Sequence, residues 1–159
     1  MALTAAKRYR MIDKNPFNVN SYPVRSAAVI YYGALVGIST IGYTDGRLVN
    51  WSSGSAAIDF IGIAIPNTDY VTGNAGGTVE CPVMEGGCIL ENVAVTGLNS
   101  ADDVGDMVYA SDNCTFSLSA TSNVSAVGQV TRYRSSGYGD VEILSKQTYL
   151  ALDAGKGAV

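Results

Sequence analysis

The chain of 159 residues contains no histidine. That absence removes the commonest general base and the commonest metal ligand, and with them every hydrolase that pairs a serine or thiol with an imidazole. Cysteines number three, Cys81, Cys88 and Cys114, with no CxxC spacing, so no standard zinc arrangement is present. They read as reduced thiols of a protein made in the cytosol. A Cys81–Cys88 disulfide is the one alternative, with Met84-Glu85-Gly86-Gly87 turning a hairpin between them. Neither a GxSxG elbow, a Walker loop nor a GxGxxG occurs. Gly73-Asn74-Ala75-Gly76-Gly77 is glycine-rich but has no GK[ST] behind it, and reads as a turn. The N-terminus lacks an apolar leader, so no secretory signal is expected, and the sequons at Asn50, Asn113 and Asn123 carry no meaning. No cofactor is implied and no enzymatic activity is expected.

Charged residues are also scarce, at 15% of the chain, and unevenly placed. Residues 1–25 carry Lys7, Arg8, Arg10, Lys14 and Arg25 against Asp13, a net +4, while residues 26–159 carry −8, giving the overall −4. A basic segment ahead of an acidic body suits either a solvated tail or an arm that docks on a partner. Tyr9, Met11, Ile12, Phe17, Val19 and Tyr22 supply the apolar anchors that a purely solvating tail would lack. Residues 26–44 hold no charge, and Gly33 with Gly37 makes a GxxxG, which raises the question of a membrane span. Ser39, Thr40, Gly42 and the β-branched and aromatic content favour two core strands instead.

Abundant Gly, Ser, Thr, Val and Tyr point to strands and tight turns. Apolar runs bounded by turn residues predict strands near 27–32, 34–40, 47–51, 57–65, 77–84, 87–96, 106–110, 114–119, 124–134 and 138–145. Residues 1–25 read as extended or irregular, since Asn15-Pro16 and Tyr22-Pro23 discourage helix, and 97–105 as room for a single turn. Val79, Cys81 and Val83 form one face of their strand. Val141 and Ile143 form another, with Asp140 and Glu142 on the wetter side. Many short strands at this spacing predict an all-β barrel or sandwich. An internal echo accompanies them. Gly33-Ala34-Leu35-Val36 and Phe60-Ile61-Gly62-Ile63-Ala64 are followed by Gly105-Asp106-Met107-Val108-Tyr109 and Ala126-Val127-Gly128-Gln129-Val130. The interior glycines suit bulges or close backbone approach.

Two polar groups compete for a role. Asp102, Asp103 and Asp106 resemble the carboxylates of a glycosidase or calcium site, but aspartates before a strand ordinarily satisfy turn backbone. Arg132, Tyr133, Arg134 and Tyr138 lie across an expected hairpin. The acidic body argues against phosphate binding, so an Arg/Tyr interface patch is the reading. Trp51 is either a core plug or an interface anchor.

The stretch GLNSADDVGDMVYASDNCTFSLSATSNVSAVGQVTRYRSSGYGDVEIL (residues 97–144) resembles the small capsid decoration, or cement, proteins of tailed bacteriophages. The shared layout is the ADDVGD lead-in, the VYASD, TFSLS and AVGQV strands and the closing GYGDVEIL, with GALVGIS and FIGIAIP in the first half. The resemblance implies a single β-barrel or β-tulip-like domain over 26–147, an extended basic N-terminal arm over 1–25 and a C-terminal tail over 148–159. It further implies attachment to the outside of an expanded phage head, the major capsid protein as partner, and a homotrimer or dimer, without nucleic acid or membrane. Lys7, Arg8, Tyr9, Arg10, Lys14 and Phe17 would then form the partner-binding arm, with Trp51, Arg132, Tyr133, Arg134 and Tyr138 as a second contact surface. The competing expectation is a carbohydrate-binding or adhesion module of a phage or cell surface, using Trp51, Tyr43 and Tyr70.

Overall fold

A computed structural model describes residues 3–7, 9–13, 18–39, 46–52, 58–120, 126–145, 148 and 151. The chain is all-β and barrel-forming, as its turn-punctuated apolar runs require. Strands are β1 (Arg10–Asp13), β2 (Val19–Pro23), β3 (Val29–Tyr31), β4 (Leu35–Ser39), β5 (Leu48–Asn50), β6 (Ile58–Ala64), β7 (Tyr70–Thr72), β8 (Glu80–Met84), β9 (Cys88–Thr96), β10 (Met107–Ala110), β11 (Phe116–Ser117), β12 (Gly128–Ser135) and β13 (Tyr138–Ile143). A 3-10 turn at Ala101–Asp103 occupies the stretch where one turn was expected.

The sequence echo is a structural one. In the second half, β9-β11-β10-β12-β13 close into a ring through a β9–β13 pairing. In the first half, β2-β8-β6-β4-β5 follow the same order, with β2 in the place of β9, β4 of β10, β5 of β11, β6 of β12 and β8 of β13. Five strands in a ring cannot all alternate in direction, so one neighbouring pair must run parallel. It is the same pair in both: β9 with β11, and the end of β2 with β5 through the parallel Val24–Leu48 bridge. Closure removes the open edges that would otherwise template aggregation. The glycines of the echo also correspond. A Cβ at Gly62 would meet the Met84 carbonyl oxygen of β8 at 2.0 Å, and one at Gly128 the Glu142 carbonyl oxygen of β13 at 2.7 Å. The expected all-β barrel is present, and the first-half sheet repeats its strand order.

Two apolar cores result. Val24, Ile30, Val36, Leu48, Ile61, Cys81 and Val83 cluster together in the first ring. Leu90, Val93, Val108, Val130, Val141 and Ile143 fill the second, and Leu35, Trp51, Phe60, Ile63 and Met84 of the first ring join them. β4 and β6 are therefore buried on both faces, Leu35 and Ile63 turning to one core, Val36 and Ile61 to the other. A strand covered on both sides reads as a continuous apolar run rather than an alternating one. This accounts for the uncharged stretch after residue 26, and no described helix is long and apolar enough to cross a membrane. The face made by Val79, Cys81 and Val83 lies against the first-ring core as expected.

Residues 1–25 differ from the expected arm. β1 pairs antiparallel with β9 and β2 with β8, so one segment contributes a strand to each sheet. Arg10 lies opposite Glu91 and Pro23 opposite Glu80, so residues 10–13 and 18–23 act as a strap against the 80–91 crossing between the rings. Asn18 fastens the crossing: its carbonyl accepts from Glu85 N–H at 2.9 Å, and its side-chain amide donates to the Glu85 and Gly86 carbonyls. The extended backbone foreseen from Tyr22-Pro23 is there, but its ladder bonds are satisfied within the molecule. Accordingly β8 and β9 do not form the expected hairpin around Met84–Gly87. They belong to different sheets, with Cys81 and Cys88 buried in different cores and not joined to each other.

Candidate functional site

A depression of about 750 Å3 lies where the strap meets the second ring. Lys7, Tyr9 and Arg10 line it from the N-terminal side, Glu91–Ala94 of β9 form its floor, and Arg134 and Tyr138 close it from the β12–β13 hairpin. Its geometry comes from three local irregularities. Register shifts in the β12–β13 ladder leave Thr131 and Arg134 without opposite partners. A third shift in the β13–β9 ladder coincides with Asn92, which sits in the left-handed region at φ 53°. Bulges re-aim side chains and sharpen twist. Here they turn Arg134 back over the sheet onto two carboxylates.

Arg134 Nε donates to Asp140 Oδ1 at 2.6 Å, and its Nη2 donates to Asp140 Oδ2 at 2.8 Å and to Glu91 Oε1 at 3.0 Å. Asp140 Oδ1 also accepts from the Asn92 N–H at 2.9 Å. A bidentate guanidinium–carboxylate pair of this kind is among the stronger polar contacts available to a protein. Burial disfavours the charged form of Asp140, but the bonds from Arg134 and the Asn92 N–H outweigh it and hold its pKa below the usual carboxylate value. On the outer side, Arg10 Nε lies 2.7 Å from Glu91 Oε2, without the alignment of a hydrogen bond, and the Arg10 side chain is 86% exposed. The exposed Lys7 ammonium rests 5.0 Å from the Tyr9 ring centroid. Burial, with Cys114 and Asp112 adding to it, pushes the Tyr9 phenol above its ordinary range.

The structure thus brings together Lys7, Tyr9 and Arg10 with Arg134 and Tyr138, which the sequence offered as two separate surfaces. Arg8, Lys14 and Phe17 lie outside the described residues, as does Tyr43. Arg132 is exposed, in register with Asp140, while Tyr133 leans on the second-ring core. Trp51 is no surface anchor: it is buried, edge-on to Phe60 at 5.5 Å, and its indole N–H donates to the Ala110 carbonyl at 3.1 Å. Asp140 departs from the expected wetter face, being 5% exposed. Glu91, Asn92 and Asp140 were missed as site residues. The signal available was a polar Glu-Asn pair inside the otherwise apolar β9, which marks a bulge or a buried ion pair.

The other candidate cluster is accounted for by backbone. Asp103 accepts from the Asn99 and Ser100 N–H groups at 2.7 and 2.9 Å, which lowers its pKa, and Ser100 caps the 3-10 turn. Asn74 closes its own loop onto Thr78 through both amide atoms. No group of His, Cys, Asp and Glu among the described residues has the geometry of a metal site. The class that fold and site define is an all-β protein of two like rings with a basic, aromatic-rimmed groove at their strap. No family model, no curated protein and no solved structure matches the chain.

Proposed function

We propose that this protein is a non-enzymatic capsid decoration protein of a tailed phage. It binds the outer surface of an expanded head, as a homotrimer or dimer, and bridges neighbouring copies of the major capsid protein. The observation that carries the reading is the convergence of the two sequence groups expected to touch a partner, the basic N-terminal segment and the Arg/Tyr hairpin, on one groove. Arg and Tyr are favoured where interfaces concentrate their binding energy. The contact differs from a reaching arm. Residues 3–7 and 9–13 fold back on the body, through Leu3 N–H to Asn113 Oδ1 at 2.7 Å, Lys7 N–H to the Tyr32 carbonyl at 2.8 Å, and β1 on β9. A preformed face loses less ordering entropy on docking than a tail that folds at that moment.

Co-sedimentation with undecorated expanded capsids tests this. Saturable binding that raises the temperature of head disruption supports the reading, and absence of binding to the matching capsid refutes it. One observation favours the carbohydrate-binding alternative: Tyr70 is 54% exposed and tilts against Tyr31 at 5.7 Å, a surface aromatic pair on β3–β7. Glycan binding abolished by Tyr70→Ala, without capsid binding, would decide for it. The tryptophan expected to share that site is in the core.

A further inference from the structure

We infer that the groove between the strap and the β12–β13 hairpin is the docking site for an acidic segment of a partner polypeptide, recognised through its carboxylates by Lys7 and Arg10. The inference rests on the decoration reading for its biological setting but on the groove alone for its chemistry. Three cations line the groove with one carboxylate, Glu91, which is engaged between Arg134 and Arg10, while Asp140 beneath the lining holds Arg134 from behind. Arg134 is thereby consumed as scaffold. Arg10 is not, because its ion pair with Glu91 through Nε leaves the side chain 86% exposed. An exposed guanidinium keeps N–H groups able to take a further carboxylate.

Lys7 adds a second charge at a defined position, since its backbone is tied to Tyr32 and its ammonium rests on the Tyr9 ring. Tyr138, 46% exposed, supplies an amphipathic wall. The volume of about 750 Å3 suits a few side chains of a short segment rather than a globular surface. The sign of the site opposes that of the protein, which is −4 overall and −8 after residue 25. A polyphosphate chain gains from a broad positive field, which a protein of net charge −4 lacks. A peptide with a few carboxylates needs only the local surplus.

The probe is a fluorescein-labelled octapeptide alternating Glu and Ala, titrated with the full-length protein by anisotropy at low ionic strength. Its Gln/Ala counterpart and a single-stranded oligonucleotide of equal charge serve as comparisons. Binding of the Glu peptide alone is expected. A Lys7→Gln/Arg10→Gln variant should weaken it about five- to tenfold, the loss of two exposed charge contacts. Arg47→Gln, on the first ring and outside the groove, should leave affinity unchanged. Tyr138→Ala gives an independent check on the wall, with a smaller loss of affinity. Equal binding of the oligonucleotide, no binding of the Glu peptide, or undiminished binding by a folded double variant would each overturn the inference. Parallel capsid co-sedimentation separates the two claims. Capsid binding that survives the double variant refutes the groove while leaving decoration standing. Peptide binding without capsid binding does the reverse.

Discussion

The two rings share strand order, strand directions and the identity of the one parallel pair, yet they are finished differently. In the second ring, β12 and β13 join through a tight Ser135–Tyr138 hairpin. In the first, the equivalent β6–β8 connection is long enough to hold β7, which pairs with β3 from the connection ahead of β4. The second ring closes through a nine-residue strand, β9, paired with both β11 and β13. The first closes through a short β2 and one parallel bridge. One topology thus admits two economies. A long closing strand makes one ring self-sufficient and frees its hairpin to carry a polar network. A short closing strand, borrowed from the N-terminus, leaves the other dependent on its neighbour.

Removing residues 1–25 tests that dependence most severely. The truncation deletes β2 from the first ring and β1 from the outside of β9. We expect the first ring to lose cooperative unfolding altogether, seen as loss of its share of the unfolding enthalpy in calorimetry. Removing only residues 1–9 keeps both strands and should leave a cooperative transition a few degrees lower. A 26–159 fragment that melts like the intact chain would show that the strap is dispensable.

Trp51 probes the junction. It follows β5 and reaches across to the Ala110 carbonyl of the other ring while packing on Phe60. Trp51→Ala should cost about 3–5 kcal/mol, the usual penalty for truncating a buried large aromatic. Leu118, which follows β11 at the corresponding place and is half-buried, should cost less than half as much when changed to alanine. Equilibrium urea unfolding measures both. Splitting of the Trp51→Ala transition into two steps would mark the rings as separable units.

The paired glycines give a finer comparison. Gly62 stands at φ +150° with the Met84 carbonyl oxygen 2.0 Å from where a Cβ would lie, whereas Gly128 has an unexceptional φ and a wider 2.7 Å approach to Glu142. Gly62→Ala should therefore destabilise by about 2 kcal/mol or more, combining backbone strain with a clash against main chain that cannot move aside. Gly128→Ala should cost less. Equal penalties in thermal denaturation would mean that the two rings absorb strain alike.

Much of the fold was legible because it rests on local signals. Turn residues bounded ten of the strands, and the glycine-spaced echo marked the central pairs β4–β6 and β10–β12 of the two rings. β1, β2 and β7 were not legible as strands. Each is short, two lie in the basic N-terminal segment, and what makes them strands is a distant pairing partner rather than their own composition. The site was half legible. Basic and aromatic residues announced themselves, but their convergence needs the strap to cross both sheets. Asp140 was misread because bulges in the neighbouring β12 turn Arg134 back over the outer face and cover it, which the alternation of β13 alone does not reveal.

That bulged network should distinguish the rings by pH. The Asp140 pKa is lowered in the folded protein, so its ionised form, held by Arg134 and the Asn92 N–H, stabilises the native state. The sign follows from linkage. The contribution is fully present above the unfolded aspartate pKa of about 3.9 and is lost as pH falls through the lower folded value. Asp140→Asn should cost about 1–2 kcal/mol at neutral pH, since the amide keeps the shape but loses the charge-assisted bonds. The penalty should shrink towards zero in strong acid, where the wild-type carboxylate is itself protonated. Asp103 is also lowered, by the Asn99 and Ser100 N–H groups, but it lies on the 3-10 turn, outside the ladder. Asp103→Asn should therefore shift melting less. Melting temperature followed from pH 7 to pH 2 for both variants separates a network that closes a groove from one that only caps a turn. If the acid limb of the stability curve is unchanged by Asp140→Asn, the bulges serve some purpose other than holding Arg134 in place.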